Sequence, residues 1–507
     1  SPRNNAPSHR SLRSLFHFKD SVDATTILTQ GVRKIACLLA ASLLPITSHA
    51  ATQDILGFAK KWTHSHVTSG QVSEIPAFDG ITRTLWVAGV VGVDVLNADT
   101  GALIEHIDVT PFGYVNSVAI RGHIAAFAVE SMVDRRNAGM VLLYDTRTRM
   151  PIHRGIPVGS LPDMLTFTPN GEKLLVANEG TPNLMADEPY DLLTDPPGTV
   201  SIIDMRRRRV IATPTLKKAR FTGNPRLSAG MDFEPEYISV SPRGTVAYVT
   251  LQEANAMAIL DLTTNQFTQV IDLGLKDFSL ADNGFGGNNF IDPNDEDPKE
   301  KPVSILRASA VKGLYQPDAL ANYQYKGRTY IVMANEGDTR EDDGDKVRAS
   351  KISGSPSDLK RLNVSLPDSP SGDQLVTFGG RSFSIRDDQG RLIYDSGSML
   401  DAEAIARNIY DDKRSDDKGV EPEGVTLLNR WGKVYAFIGL ERTKASAVAV
   451  FDITNPRAVS FVDMIVTDGD ISPEGLVTYA YQGRQYLGIS NEVSNTTTVY
   501  EITRTRQ

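Results

Sequence analysis

Pro162-Asp163-Met-Leu-Thr-Phe-Thr-Pro-Asn-Gly-Glu-Lys-Leu-Leu-Val-Ala-Asn-Glu179, followed by Val200-Ser-Ile-Ile-Asp204, is the stretch on which the fold turns. Two short apolar strands are joined by an Asn-Gly turn, and a third strand ends on an acid. The first strand opens with Pro-Asp and the second closes on Asn-Glu. The same order recurs. Pro235-Glu236 leads to Val249-Thr-Leu-Gln-Glu253 and Ala258-Ile-Leu-Asp261, and Pro317-Asp318 leads to Met333-Ala-Asn-Glu336. Pro422-Glu423 leads to Ile438-Gly-Leu-Glu441 and Val448-Ala-Val-Phe-Asp452. Pro473-Glu474 leads to Ile489-Ser-Asn-Glu492 and Thr498-Val-Tyr-Glu501.

Degenerate copies complete the series. Pro76 to Ala88 precedes Val93-Asp-Val-Leu-Asn97, Asn116 to Glu130 precedes Val141-Leu-Leu-Tyr-Asp145, and Phe383-Ser-Ile-Arg-Asp387 is the weak third strand of the Pro317 unit. That makes seven units, with further turns at Arg243-Gly244, Lys326-Gly327 and Gln482-Gly483. Outer strands such as Leu103–Val109 and Gln269–Leu273 bring each unit to four. Four antiparallel strands repeated around an axis predict an all-β, seven-bladed β-propeller. The last unit stops after its third strand, so a segment near Ile55–Phe58 is expected to supply the fourth and close the ring, which would leave no open sheet edge. A solenoid would instead need capping repeats.

The predicted domain is residues 51–507, interrupted by insertions at about 276–307, 338–380 and 401–418. The first contains Asp292-Pro-Asn-Asp-Glu-Asp297 and the second Asp338-Thr-Arg-Glu-Asp-Asp-Gly-Asp345. Short helices are expected near Ser357–Leu362 and Ala402–Ile409. Loops of this length in a compact domain are usually functional or mobile.

Residues 1–50 read as a basic extension followed by a signal peptide. Arg33-Lys34 precede an apolar run from Ile35 to Ile46, and Thr-Ser-His-Ala50 offers a small-x-small cleavage site. The run is too short to span a bilayer. Cys37, the single cysteine, lies inside it, so the processed chain would hold no disulfide or thiolate site. No C-terminal anchor is expected, which places the product in the periplasm or outside the cell as a monomer. The formal net charge is −9, and six basic against two acidic residues in the first fifty leave −13 on the rest. An acidic body argues against nucleic acid as a partner, because phosphate binding needs clustered Lys and Arg.

In a propeller the repeated acids gather on one face. Asp163, Glu179, Glu236, Glu253, Asp318, Glu336, Asp338, Glu423, Glu441, Glu474 and Glu492 are therefore the candidate ligand face, with Glu336, Asp338 and Glu423 the first candidates for a metal. Carboxylates that close together cannot all ionise without cations or basic partners. Oxygen ligands suit Ca²⁺ or another hard divalent cation, and no organic cofactor is expected. Arg340, Arg381, Arg414 and Arg442 are candidates to bind an anion. A repeat-wide Glu could equally serve each unit's own loops. His64-Ser-His66 has metal-ligand residue types, but its place beside the closing strand predicts a surface location. No Gly-x-Ser-x-Gly elbow or Walker loop occurs.

Tyr315-Gln-Pro-Asp318, Ala334-Asn-Glu-Gly-Asp338, Phe378-Gly-Gly-Arg-Ser-Phe-Ser384, Arg414-Ser-Asp-Asp-Lys-Gly419 leading to Glu421-Pro-Glu-Gly424, and Asn491-Glu-Val-Ser494 resemble the choice-of-anchor I family of exported propellers. The resemblance runs from about Gly57 to Ile502. It implies an exported propeller, and some family members are labelled alkaline phosphatase. Two functions stand side by side at this level. One is a binding or scaffold module with an acidic, cation-binding central face and an envelope or extracellular ligand. The other is a metal-dependent phosphoesterase of alkaline phosphatase or phytase type, with Arg381 or Arg442 clamping phosphate and a metal-bound water attacking.

Overall fold

The structure is a computed structural model, and it describes residues 54–180, 196–226, 233–297, 304–339 and 345–506. The expected leader and Arg340 lie outside the described residues. The chain is built almost wholly of antiparallel sheets, joined in sequence order. The first sheet is Ile75–Asp79, Thr84–Gly89, Gly92–Asn97 and Leu103–Asp108. The second is Tyr114–Arg121, Ile124–Glu130, Ala138–Asp145 and Ile156–Ser160, and the third is Pro162–Phe167, Lys173–Asn178, Thr199–Asp204 and Arg209–Ala212. The fourth comprises Pro235–Val240, Val246–Leu251, Ala256–Asp261 and Gln266–Asp272, with Arg220–Thr222 added in parallel at its edge. Leu320–Tyr325, Arg328–Ala334, Phe383–Asp387 and Leu392–Asp395 make the fifth, and Pro422–Arg430, Lys433–Leu440, Ser446–Asp452 and Ser460–Thr467 the sixth. In the seventh, Pro473–Tyr481, Arg484–Asn491 and Thr496–Arg506 are completed by Asp54–Ser65 from the other end of the chain.

That last pairing runs from Asp54 opposite Arg506 to Ser65 opposite Thr496, well beyond the Ile55–Phe58 segment the sequence suggested. Trp62 explains its length. Its ring is buried against Gly101, whose φ of +76° and lack of a Cβ let the indole approach, and its Nε1 donates to the Ala98 carbonyl.

Middle strands read as unbroken apolar runs because both their faces are covered. Thr84–Gly89 is buried at every position, and Lys433–Leu440 at every position but the first. The packing is strictly between neighbours. Trp86, Val95, Phe127 and Leu142 join the first and second sheets; Leu143, Val158, Leu174 and Ile203 join the second and third. Val200, Ile202, Val249 and Leu260 join the third and fourth, and Met257, Ile271, Ile331 and Met333 the fourth and fifth. Phe383, Ile385, Ala436 and Phe451 join the fifth and sixth, and Phe437, Val450, Leu487 and Tyr500 the sixth and seventh. Trp62, Leu85, Val87 and Val499 then join the seventh to the first. First strands also lie side by side in this order, with Pro473–Tyr481 beside both Pro422–Arg430 and Ile75–Asp79.

The two long insertions are not separate solvated loops. Leu275–Asp277, Lys312–Leu314 and Val376–Phe378 form one small sheet, and Lys346–Arg348 pairs with Asn363–Ser365. Phe278, Ile291, Val311, Leu359, Leu362, Val364 and Phe378 give this unit a core of its own. Asp292, the first residue of the acidic run in the first insertion, is fully buried and accepts from Arg307 at 3.2 Å. The expected helices are a short 3-10 turn at Ser357–Leu359 and an α-helix at Met399–Ala406. Among the described residues no helix is long and apolar enough to cross a membrane.

Candidate functional site

Four of the five Pro-acid dipeptides sit where the first strand of a sheet breaks register with the second. Pairing skips between Pro162 and Met164, Pro235 and Tyr237, Pro422 and Val425, and Pro473 and Leu476. Asp163, Glu236, Glu423 and Glu474 are thus bulged residues, freed from the ladder and re-aimed. Proline suits the strand start because it has no N–H to lose from the ladder. Asn116 holds the equivalent bulge in the second sheet. Residues at this end of the first strands also fasten neighbouring sheets together. Asn116 Nδ2 donates to the Pro162 carbonyl at 2.9 Å, Thr250 Oγ1 to that of Asp318 at 2.7 Å, and the Gly475 N–H to that of Glu74 at 2.8 Å.

These residues surround one cavity of about 320 Å³. Glu74, Asn116, Asp163, Asp318, Glu423 and Glu474 line it, from six different sheets, and Tyr237 contributes from the remaining one. The acids that end the second strands stand close by. Ligand oxygens of Asp163, Glu179 and Glu236 lie within 4.8 Å of one another, and so do those of Asp318, Glu336 and Glu423. Glu253 is buried with Oε2 lacking a hydrogen-bond partner, and Glu423 Oε2 is likewise orphaned.

Burial and mutual repulsion raise the pKa of nearly every member. Glu74 is pushed up to about 8 by burial and then by Glu492, Asp163 and Glu130. Asp318 rises to about 7 through burial and the Asp163 charge, although a hydrogen bond with Glu423 works the other way. Burial, then Glu179 and Glu253, raises Glu236; burial, then Glu336 and Glu474, raises Glu423; burial, then Glu492, raises Glu474. Glu179, Glu253, Glu336, Asp163 and Glu492 are raised as well, with burial the leading cause each time. A cation bound here would remove the repulsion and return these carboxyls to their ionised form.

The basic residues are distributed differently from expectation. A second pocket of about 140 Å³ brings Glu336, Asp338 and Glu441 together with Arg414, Lys418, Glu421 and Arg442. Glu421 is its hub, receiving Arg414 at 2.5 Å and Lys418 at 2.7 Å, with Arg442 at 3.7 Å. Burial opposes ionisation of Glu421, yet Lys418 and Arg414 outweigh it and hold the pKa below the ordinary carboxylate value. Arg414 also pairs with Asp417, and Lys418 donates to the Gly337 carbonyl at 2.8 Å. Arg442 keeps an open side, with its side chain 38% exposed.

Arg381 is a correction. Expected to clamp an anion, it is buried and spends its guanidinium on the carbonyls of Asp292, Ser415 and Asp417 at 2.8–3.0 Å. It pins the first insertion to the loop that carries Arg414 and Lys418. His66 is a second correction, since it is wholly buried, between Asp94 and Thr497, rather than on the surface.

Sequence reasoning missed Glu74 and Glu421. In Ser73-Glu74-Ile75-Pro76 the acid precedes its proline by two positions, which breaks the Pro-acid pattern. Glu421 does stand directly before Pro422, three residues after Lys418, a spacing that offered a usable sign.

Repeating antiparallel sheets with an acid-lined cavity define the class: an all-β protein whose first strands converge on a carboxylate centre. The chain belongs to the choice-of-anchor I domain family, whose profile matches residues 74–456. Gigasin-3a from Magallana gigas is 33% identical over 96 residues, 16% of this chain and 34% of that protein, so the match spans about a third of the relative's length. A chain of Kuenenia stuttgartiensis hydrazine synthase is similar with a TM-score of 0.49 at 12% identity, over 86% of this chain and 96% of that one.

Proposed function

We propose that the chain is an exported, closed seven-bladed β-propeller that acts as a binding or scaffold module, holding hard divalent cations such as Ca²⁺ in its axial carboxylate channel. Ring closure is supported by the core that joins the seventh sheet to the first and by the pairing of Asp54–Ser65 with Thr496–Arg506. One observation carries the functional part. Two triads, Asp163–Glu179–Glu236 and Asp318–Glu336–Glu423, each set three carboxylate oxygens within 4.8 Å. The surrounding acids outnumber the cations that reach them, a composition that oxygen-preferring ions satisfy.

A second reading, a metal-dependent phosphoesterase, is favoured by Glu336, which belongs both to a triad and to the pocket of Arg414, Lys418 and Arg442. A phosphoryl oxygen could there touch a channel cation while Arg442 meets another.

Calorimetric titration of the chelator-treated chain with Ca²⁺ tests the first reading. The double change Asp318→Asn with Glu423→Gln should weaken binding by at least about tenfold, since it removes two charged ligands. Ca²⁺ affinity unchanged in that variant would reject the Asp318–Glu336–Glu423 triad as a site, and the same result with Asp163→Asn and Glu236→Gln would reject the channel. Turnover of a generic phosphomonoester, lost on chelation and in Arg442→Ala, would promote the second reading over the first.

A further inference from the structure

The seam between the last sheet and the first holds a second group of ligating side chains, of different chemistry from the channel. Asp54–Ser65 carries His64 as its penultimate residue, and the short 3-10 turn His66–Ser69 follows at once, stopped by Gly70 in the left-handed region at φ +73°. His66 turns inward and is fully buried. Its Nδ1 lies 2.7 Å from Asp94 Oδ2, and its Nε2 lies 2.7 Å from Thr497 Oγ1, which in turn bonds Ser73 Oγ at 2.8 Å. Asp94, itself fully buried, sits in mid-strand, with His106 Nδ1 2.7 Å from its other oxygen and Ser69 Oγ donating at 2.5 Å. Gly92 leaves room for His106, because a Cβ there would stand 2.5 Å from the ring.

His64 is the residue that this hydrogen-bonded set does not use. Its ring meets that of His66 edge-on with centroids 4.8 Å apart. Its Nε2 is buried and has no hydrogen-bond partner, a costly arrangement for a polar atom that has no role. One ligand atom from each of His64, His66 and Asp94 lies within 4.8 Å of the others.

We propose that His64, His66 and Asp94 form a transition-metal site, of the class that takes Zn²⁺, which staples the first strand of the chain to the sheets on either side of the seam. Two imidazoles and a carboxylate suit a borderline-soft ion and do not suit Ca²⁺. The ion takes the place of the proton between His66 Nδ1 and Asp94. That proton moves to His66 Nε2, which then donates to Thr497 Oγ1, and the ion with one carboxylate and two neutral imidazoles carries a net charge of +1. His106 on Oδ1 and Ser69 on Oδ2 fix the carboxylate, the outer-shell support that metal-bound carboxylates receive. The strand from His64's end, the first sheet through Asp94 and the last strand through Thr497 are thereby tied at one point, and metal binding stabilises the folded chain by mass action.

The test uses the full chain stripped with a chelator and then titrated with Co²⁺ as a visible-absorption probe, with Zn²⁺ as competitor. Wild-type protein should take up Co²⁺ with the intense absorption of low-coordinate sites, release it to Zn²⁺, and unfold at a higher temperature with Zn²⁺ present. His64→Ala spares the hydrogen-bonded set, so its metal-free unfolding temperature should match wild type while Co²⁺ affinity falls by at least about tenfold. Its Ca²⁺ titration should also be unchanged, which separates this site from the channel. Co²⁺ binding that is unaltered in His64→Ala, or absence of any Zn²⁺-dependent stabilisation in wild type, would overturn the proposal and leave the cluster as a hydrogen-bonded relay.

Discussion

Removing divalent cations and raising the pH should destabilise this protein, against the usual behaviour of acidic groups. Glu74 moves from 4.5 in the unfolded chain to about 8 in the fold. Between those values the folded carboxyl keeps its proton and the unfolded one does not, so the folded state binds more protons and stability falls as pH rises. At 1.36 kcal/mol per pKa unit, the Glu74 displacement corresponds to about 5 kcal/mol as a ceiling, and that of Asp318 to about 4 kcal/mol. Both feel Asp163, so the two do not add, and water in the channel reduces each. Acids with depressed pKa, such as Asp145 and Asp261, which accept from Arg147 and Thr263, act only below the ordinary carboxylate range and leave this window untouched. Burial lowers the His64 pKa, which pulls in the opposite direction, but it is a single group. Urea unfolding in chelator at steps from pH 5 to pH 8 should therefore show a fall of several kcal/mol, on the order of the Glu74 figure. Saturating Ca²⁺ should flatten that slope and raise stability most at the alkaline end. Stability in chelator that stays level or climbs across the range would refute the claim that these carboxyls are crowded and short of cations.

Other consequences are simpler. Arg381→Met should cost about 3–5 kcal/mol in urea unfolding, since it removes the donors that hold three buried carbonyls and leaves Asp401, 3.8 Å away, without its partner. Deleting residues 54–65 should expose the edge of Thr496–Arg506 and withdraw Leu56 and Trp62 from two cores, about 1.5–3 kcal/mol for each side chain; light scattering should show aggregation, which a synthetic 54–65 peptide relieves. Glu421→Gln should weaken the hold on Arg414 and Lys418 and tighten inorganic phosphate binding in the pocket they share with Arg442 by about tenfold, read by calorimetry.

Strands and their order were legible because each sheet repeats one pattern whose apolar runs and turns are local. Lys326-Gly327 adopts positive φ at both positions, as its place between two strands implied. The convergence of Asp163, Glu236, Asp318, Glu423 and Glu474 followed from the same repetition. What escaped was non-local. Phe278 and Ile291 share a core with Leu359, Leu362 and Val376, far along the chain, so two stretches that read as loops form one packed unit. The bulge at four of the five Pro-acid pairs depends on strand register, which the side-chain pattern alone does not show. Arg381 looked available because a sequence shows charge but not burial, and its three carbonyl partners come from two different insertions.

Long-wavelength anomalous diffraction from crystals grown with Ca²⁺ tests the central claim most directly. Peaks at Asp163–Glu179–Glu236 and at Asp318–Glu336–Glu423 are the result this account requires. A map with neither peak, or with calcium bound only at exposed acidic loops, would contradict it.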